Sequence, residues 1–136
     1  MFSKYHYLSH THNNAARVFI CTINDYVCGF CSILPFPHPV LKNCYKEHRT
    51  VILPDYQGIG LGSLLSENVA EIIKKMGKGF ISTSSNPALI NARRKSEKWI
   101  ITRLGRTSTG SGKIQNKNKK NSTSSNRITV SFKYIG

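Results

Sequence analysis

Acidic side chains are scarce in this chain: six Asp and Glu stand against 20 Lys and Arg across 136 residues, a formal net charge of +14 with neutral histidines. That imbalance predicts attraction to polyanions, either nucleic acid or a phosphate-rich cofactor, and says nothing about the fold. Long hydrophobic runs are also missing. None approaches the roughly 18 residues of a membrane span, and the amino-terminal MFSKYHYLSHTHNN is too polar for a signal peptide. The expected location is therefore the cytoplasm, with no membrane partner. Cysteine is limited to four residues. In a reducing compartment these read as free thiols, because a chain that is 39% hydrophobic has core enough without a disulfide framework. Internal repeats are absent too, and the length fits one domain over residues 1–136.

What is present has a clear order. ARVFICTIN and VCGFCSIL read as two strands joined at Asn24 and Asp25, a hairpin turn signal. PFPHPVLKN follows as a loop, since Pro35, Pro37 and Pro39 disfavour both helix and central strand. HRTVILP, residues 48–54, is a third strand whose continuous apolar end predicts burial on both faces. Leu61, Leu64, Leu65, Val69, Ile72, Ile73 and Met76 then recur at spacings of three and four, predicting an amphipathic helix that ends at Gly77. GFISTSS is a fourth strand. Asn86 and Pro87 read as a helix N-cap and first helical position, with that helix running to about Lys98. WIITR and RITVSFKYI are the last two strands. Between them GRTSTGSGKIQNKNKKNSTSSNR, residues 105–127, has almost no apolar side chain and is expected to be a flexible basic loop.

The informative stretch is DYQGIGLGSLL, residues 55–65, with Gly58, Gly60 and Gly62 at alternating positions. Glycine loses the most backbone entropy on folding, so such a cluster needs a left-handed backbone or a close approach to bare amides. The order strand, glycine turn, helix, strand places it where a strand's carboxyl end meets a helix amino terminus. There the unpaired N–H groups and the helix dipole favour an anion such as phosphate. A Walker loop would need Gly-Lys-Ser/Thr, and a dinucleotide fingerprint would need G-x-G-x-x-G; neither spacing is met.

Gln57, Gly60 and Gly62, with Gly58 between them, resemble the pyrophosphate loop of the GNAT superfamily of N-acetyltransferases. VILPDYQGIGLGSLL is similar to that family's fourth strand, loop and third helix, and the order of elements matches over roughly residues 17–135. The resemblance implies an α+β fold: a mixed, mostly antiparallel twisted sheet with one βαβ crossover, in which the parallel strands 48–54 and 79–84 splay apart. It implies acetyl-CoA as acetyl donor, its pyrophosphate on the amides of Gln57, Gly58, Ile59, Gly60, Leu61, Gly62 and Ser63, and its pantetheine arm against the backbone near Ile52 and Leu53. The implied activity is N-acetyl transfer by direct attack of an amine in a ternary complex, with no metal. Positioning, oxyanion stabilisation and a base would do the protein's part.

Some positions depart from the family pattern. The tyrosine that many members use to protonate the leaving thiolate falls on Ser96, a far weaker acid than tyrosine with its pKa of about 10, so no general acid is assigned. Glu47 or His48, at the start of the implied fourth strand, is the candidate base; a surface role for Glu47 is the plainer alternative. Only about 16 residues precede the first strand, where the family has a strand and two helices. This shortened segment, residues 1–16, supplies Tyr5, His6 and Tyr7 as candidate acceptor contacts, while His6, His10 and His12 read as solvated.

Two alternatives stay open. Cys28, Cys31, Cys44 and His48 follow C-x2-C-x12-C-x3-H, the spacing of a zinc finger, although Pro37 and Pro39 oppose the helix a finger needs. The second is a nucleic-acid-binding or base-modifying protein in which the positive charge is the functional feature, since the fold also occurs in phage enzymes that modify DNA bases.

Overall fold

The computed structural model describes residues 14–106 and 128–136. The expectations for Tyr5, His6, Tyr7, His10 and His12, and for residues 107–127 of the basic loop, lie outside the described residues. Strands β1 (Arg17–Ile23) and β2 (Tyr26–Phe36) form the expected hairpin. Asn24 and Asp25 both take left-handed backbone, with φ of 49° and 67°; two such residues give a two-residue turn the twist that its flanking strands need.

β2 runs through Pro35, which the sequence places in a loop. β1 ends opposite Ile33, so beyond that point β2 pairs only with β3 (Cys44–Ile52), and a missing N–H is tolerated at such an edge. For the same reason β3 begins four residues earlier than expected, with Cys44 and Tyr45 opposite Phe36 and Pro35. It stops at Ile52, and Pro54 opens a single 3₁₀ turn, Pro54–Tyr56.

With β4 (Gly79–Ser84), β5 (Trp99–Arg106) and β6 (Ile128–Tyr134), the sheet has the order β1-β2-β3-β4-β6-β5. Every neighbouring pair is antiparallel except β3 and β4. This is the α+β architecture expected. The parallel pair is short: Cys44, Tyr45 and Lys46 lie beside Gly79, Phe80 and Ile81, and pairing then stops although both strands continue. The β2 partners explain where it stops. Ser32 faces Arg49 and Ile33 faces Glu47, leaving His48 as an extra residue on β3. A bulge of this kind bends and re-aims its strand, here two residues past the last parallel pair.

Helix α1 (Leu61–Lys75) crosses between β3 and β4 and packs on both, with Leu65, Val69, Ala70 and Ile73 buried against Cys31, Ile33, Tyr45, Phe80 and Phe132. Its apolar stripe is narrower than the periodicity predicts, since Leu64, Ile72 and Met76 are exposed. The helix ends as expected at Gly77, whose φ is 73°; Gly77 N–H donates to Lys74 O and Lys78 N–H to Ile73 O, a Schellman cap. Helix α2 (Pro87–Lys95) is three residues shorter than expected, because Ser96 is extended and its hydroxyl accepts the Lys98 N–H. At the core's other end Trp99 packs edge-on against Phe80, Phe132 and Tyr134. Among the described residues no helix is long and apolar enough to cross a membrane.

Candidate active site

The glycine loop has two kinds of glycine. Gly58 and Gly60 take φ of 83° and 79°, a conformation that costs other residues strain, and a Cβ on either would meet no atom within 4 Å. Gly62 has no positive φ and lies inside α1, where a Cβ would make ordinary contact with Ile52 at 3.6 Å. Gly60 is the N-cap of α1 and offers no side chain to its amides. The Gln57 N–H donates to Pro54 O and the Leu64 N–H to Gly60 O. Among the described residues, no carbonyl or side chain takes the N–H groups of the six residues between them, 58–63. Their dipoles and that of α1 make this end of the helix attractive to an anion.

Gln57 folds back instead, its side-chain Nε2 donating to the Ile52 carbonyl at 2.7 Å. The Leu53 N–H is taken by Cys28 O. Strand alternation therefore turns the backbone groups of Ile52 toward the gap that β4 has left.

That gap is a cavity of about 350 Å³ on the helix side of the sheet, entered between the glycine loop and the first turn of α2. Asn86 holds that turn, its side chain accepting the N–H groups of Ala88 and Leu89. At the inner end lies a charged cluster that the sequence reading did not find. Glu47 and Arg93 pair at 3.1 Å with side chains 10% and 3% exposed. Thr50 donates to one Glu47 oxygen and Ser82 to the other. Arg93 also donates to Ser82 and to Ser66, the latter at 2.8 Å, and its guanidinium lies 4.3 Å over the Trp99 ring. Glu47 and Thr50, three apart, would face opposite sides of an unbroken strand. The extra residue at His48 brings them to the same side. One clue in the sequence was Ser66, a polar residue in phase with the buried stripe of α1. The pairing itself joins residues 46 apart in the chain and leaves no local mark.

Of the candidate catalytic residues, Glu47 thus reaches the cavity. His48 is exposed at the bulge and lines a second cavity of about 470 Å³ with Leu34, Pro35, Phe36, Lys46 and Thr83. Glu47 lines this one as well, and among the described residues it is the one the two share. Ser96 lines neither; it caps the end of α2. Cys28, Cys31 and Cys44 are buried free thiols, and Cys28 Sγ lies 3.2 Å from that of Cys21 in β1. Among the described residues no group of three or more His, Cys, Asp or Glu side chains is placed to hold a metal ion. Cys31 sits next to the cluster, yet burial, with the Glu47 charge adding to it, pushes its thiol up to about 12. It stays protonated near neutrality and is a poor nucleophile.

A search of curated proteins finds no match to the sequence. Solved structures do match. The ribosomal-protein-S18-alanine N-acetyltransferase of Escherichia coli aligns over 90% of this chain and 70% of its own, with 17% identity and a TM-score of 0.62. A GNAT family acetyltransferase from Elizabethkingia anophelis with acetyl-CoA bound aligns over 88% and 76%, with 11% identity and a TM-score of 0.63. A Bacillus subtilis acetyltransferase in complex with CoA aligns over the same shares, with 13% identity and a TM-score of 0.64. At these identities the likeness is one of fold. The family model for the acetyltransferase (GNAT) family matches residues 1–95, well over half the sequence. The chain belongs to the GNAT acetyltransferase family.

Proposed function

We propose that the protein transfers an acetyl group from acetyl-CoA to an amine. The observation that carries this reading is the row of six unengaged amides at residues 58–63, opening onto a cavity between two strands that part. In this assignment Gly58, Ile59, Gly60, Leu61, Gly62 and Ser63 hold the pyrophosphate through their N–H groups. Gln57 ties the loop to β3 through Ile52, and the edge at Ile52 and Leu53 guides the pantetheine arm. Acetyl-CoA supplies a thioester; the amine nitrogen bonds to its acyl carbon as the carbon–sulfur bond breaks and the thiolate leaves.

Glu47 and His48 take different parts. The Glu47 carboxylate has about four lone-pair positions, and Thr50, Ser82 and Arg93 fill three. That engagement favours Glu47 as the residue that positions the junction of the two cavities and His48 as the proton acceptor on the far side. The nucleic-acid reading has only net charge behind it.

Calorimetric titration with acetyl-CoA tests the assignment. Binding in the micromolar range is the expected result, with His48→Gln removing the acidic limb of the pH–rate profile while leaving acetyl-CoA affinity in place. Absence of binding heat across several temperatures ends the transferase reading.

A further inference from the structure

The second cavity adjoins a third, of about 260 Å³, lined by Lys46, Thr83, Arg103, Gly105, Thr129 and Ser131. The two share Lys46 and Thr83 and so form one trough. Its place follows from strand alternation: Phe80 and Ser82 face the helices, so Thr83 faces away, and Ser131, hydrogen-bonded to Thr83 at 2.9 Å, faces away with it. Lys133, two residues beyond Ser131, falls on the same face. Among the described residues, the trough meets the acetyl-donor cavity at Glu47.

Charge is divided between the two faces. Five of the six acidic side chains lie away from the trough: Asp25 in the hairpin turn, Asp55 in the 3₁₀ turn, Glu67 and Glu71 on α1, and Glu97 after α2; the sixth, Glu47, lines the trough where it meets the other cavity, with its oxygens bonded to Thr50, Ser82 and Arg93. The trough carries Lys46, His48 and Arg103. Among the described residues, neither Lys46 nor Arg103 is within ion-pair distance of a carboxylate; Lys46 lies 5.5 Å over the Phe36 ring.

We propose that the acceptor is an amine with an anionic group of its own, a carboxylate or phosphate, seated against Lys46 and Arg103. The inference rests on the acetyltransferase reading above and names its substrate class. A cationic acceptor would meet like charges in the trough. An anionic one is steered in and fixed by charge-assisted hydrogen bonds. The same positive field favours the neutral form of the acceptor nitrogen, which is the form that attacks. With the anion held by Lys46 and Arg103, the nitrogen is left facing His48 and Glu47.

The test is CoA release measured with matched acceptors: O-phosphoethanolamine against ethanolamine, and hexapeptides with amino-terminal alanine followed by glutamates or by lysines. The two pairs separate a small phosphorylated amine from an acidic peptide as the source. The anionic member of at least one pair should be favoured by about tenfold or more in kcat/KM at low salt. Lys46→Glu and Arg103→Glu should each erase or reverse that order, with acetyl-CoA affinity by calorimetry unchanged; Lys46→Gln should reduce it. Equal rates, a preference for the cationic members, no turnover of either class by protein that binds acetyl-CoA, or a preference the charge reversals leave intact would each overturn the proposal while sparing the transferase reading. Failure to bind acetyl-CoA removes both.

Discussion

Gly60 and Gly62 sit two residues apart and answer to different constraints. A Gly60→Val variant forces a β-branched residue to a φ of 79°, costing about 1–3 kcal/mol of stability, and puts its side chain into the space before the free amides. Acetyl-CoA affinity should fall at least about tenfold. Gly62→Ala meets only ordinary contact with Ile52 and should gain about 0.5–1 kcal/mol as a helix residue. Chemical denaturation with calorimetry on the same samples checks both. The loop was legible in the sequence because its cause is local: a left-handed backbone and a helix start both leave marks within a few residues. The Glu47–Arg93 pair was not, because Arg93 lies in a run of basic residues that reads as solvated surface. Removing one partner tests its burial. Glu47→Ala leaves a guanidinium that is 3% exposed without a carboxylate and should cost about 3–5 kcal/mol in a denaturation midpoint series, much of it recovered in Glu47→Ala with Arg93→Met.

Among the elements, α2 depends most visibly on a single residue. It has nine residues, too few to be helical by propensity alone, and Asn86 satisfies two of its first N–H groups. Asn86→Ala should cost about 1 kcal/mol, read as a shift in the urea midpoint with unchanged slope. The N-cap, the Asn24–Asp25 turn and the stop at Gly77 were all readable, since each is a rule about one or two residues. Pro35 in β2 was not. Whether a proline ends a strand depends on whether a neighbour needs its N–H, and β1 has already ended there. The bulge at His48 is equally silent: an extra residue shows only against the register of a partner strand.

For the molecule as a whole, the buried thiols and Tyr134 set an alkaline limit. Burial, and then the Glu47 charge, raise Cys31 from 9.0 to about 12. Burial, then the hydrogen bond and charge of Glu71, raise Tyr134 from 10.0 to about 12. In each case the fold favours the protonated form, so its contribution is complete below the unfolded value and is lost as pH rises toward the folded one. Stability should therefore decline from about pH 9 toward pH 12, and Cys31→Ala should make that decline shallower in denaturation curves taken at successive pH values. The order of strands joins β1-β2-β3 to β4-β6-β5 through three rungs of ladder, at Cys44, Tyr45 and Lys46. Mechanically the sheet is two blades sharing a short seam, with α1 as a strap across them. A molecule lodged in the slit would touch both blades and brace them like a wedge, so that occupancy and rigidity rise together.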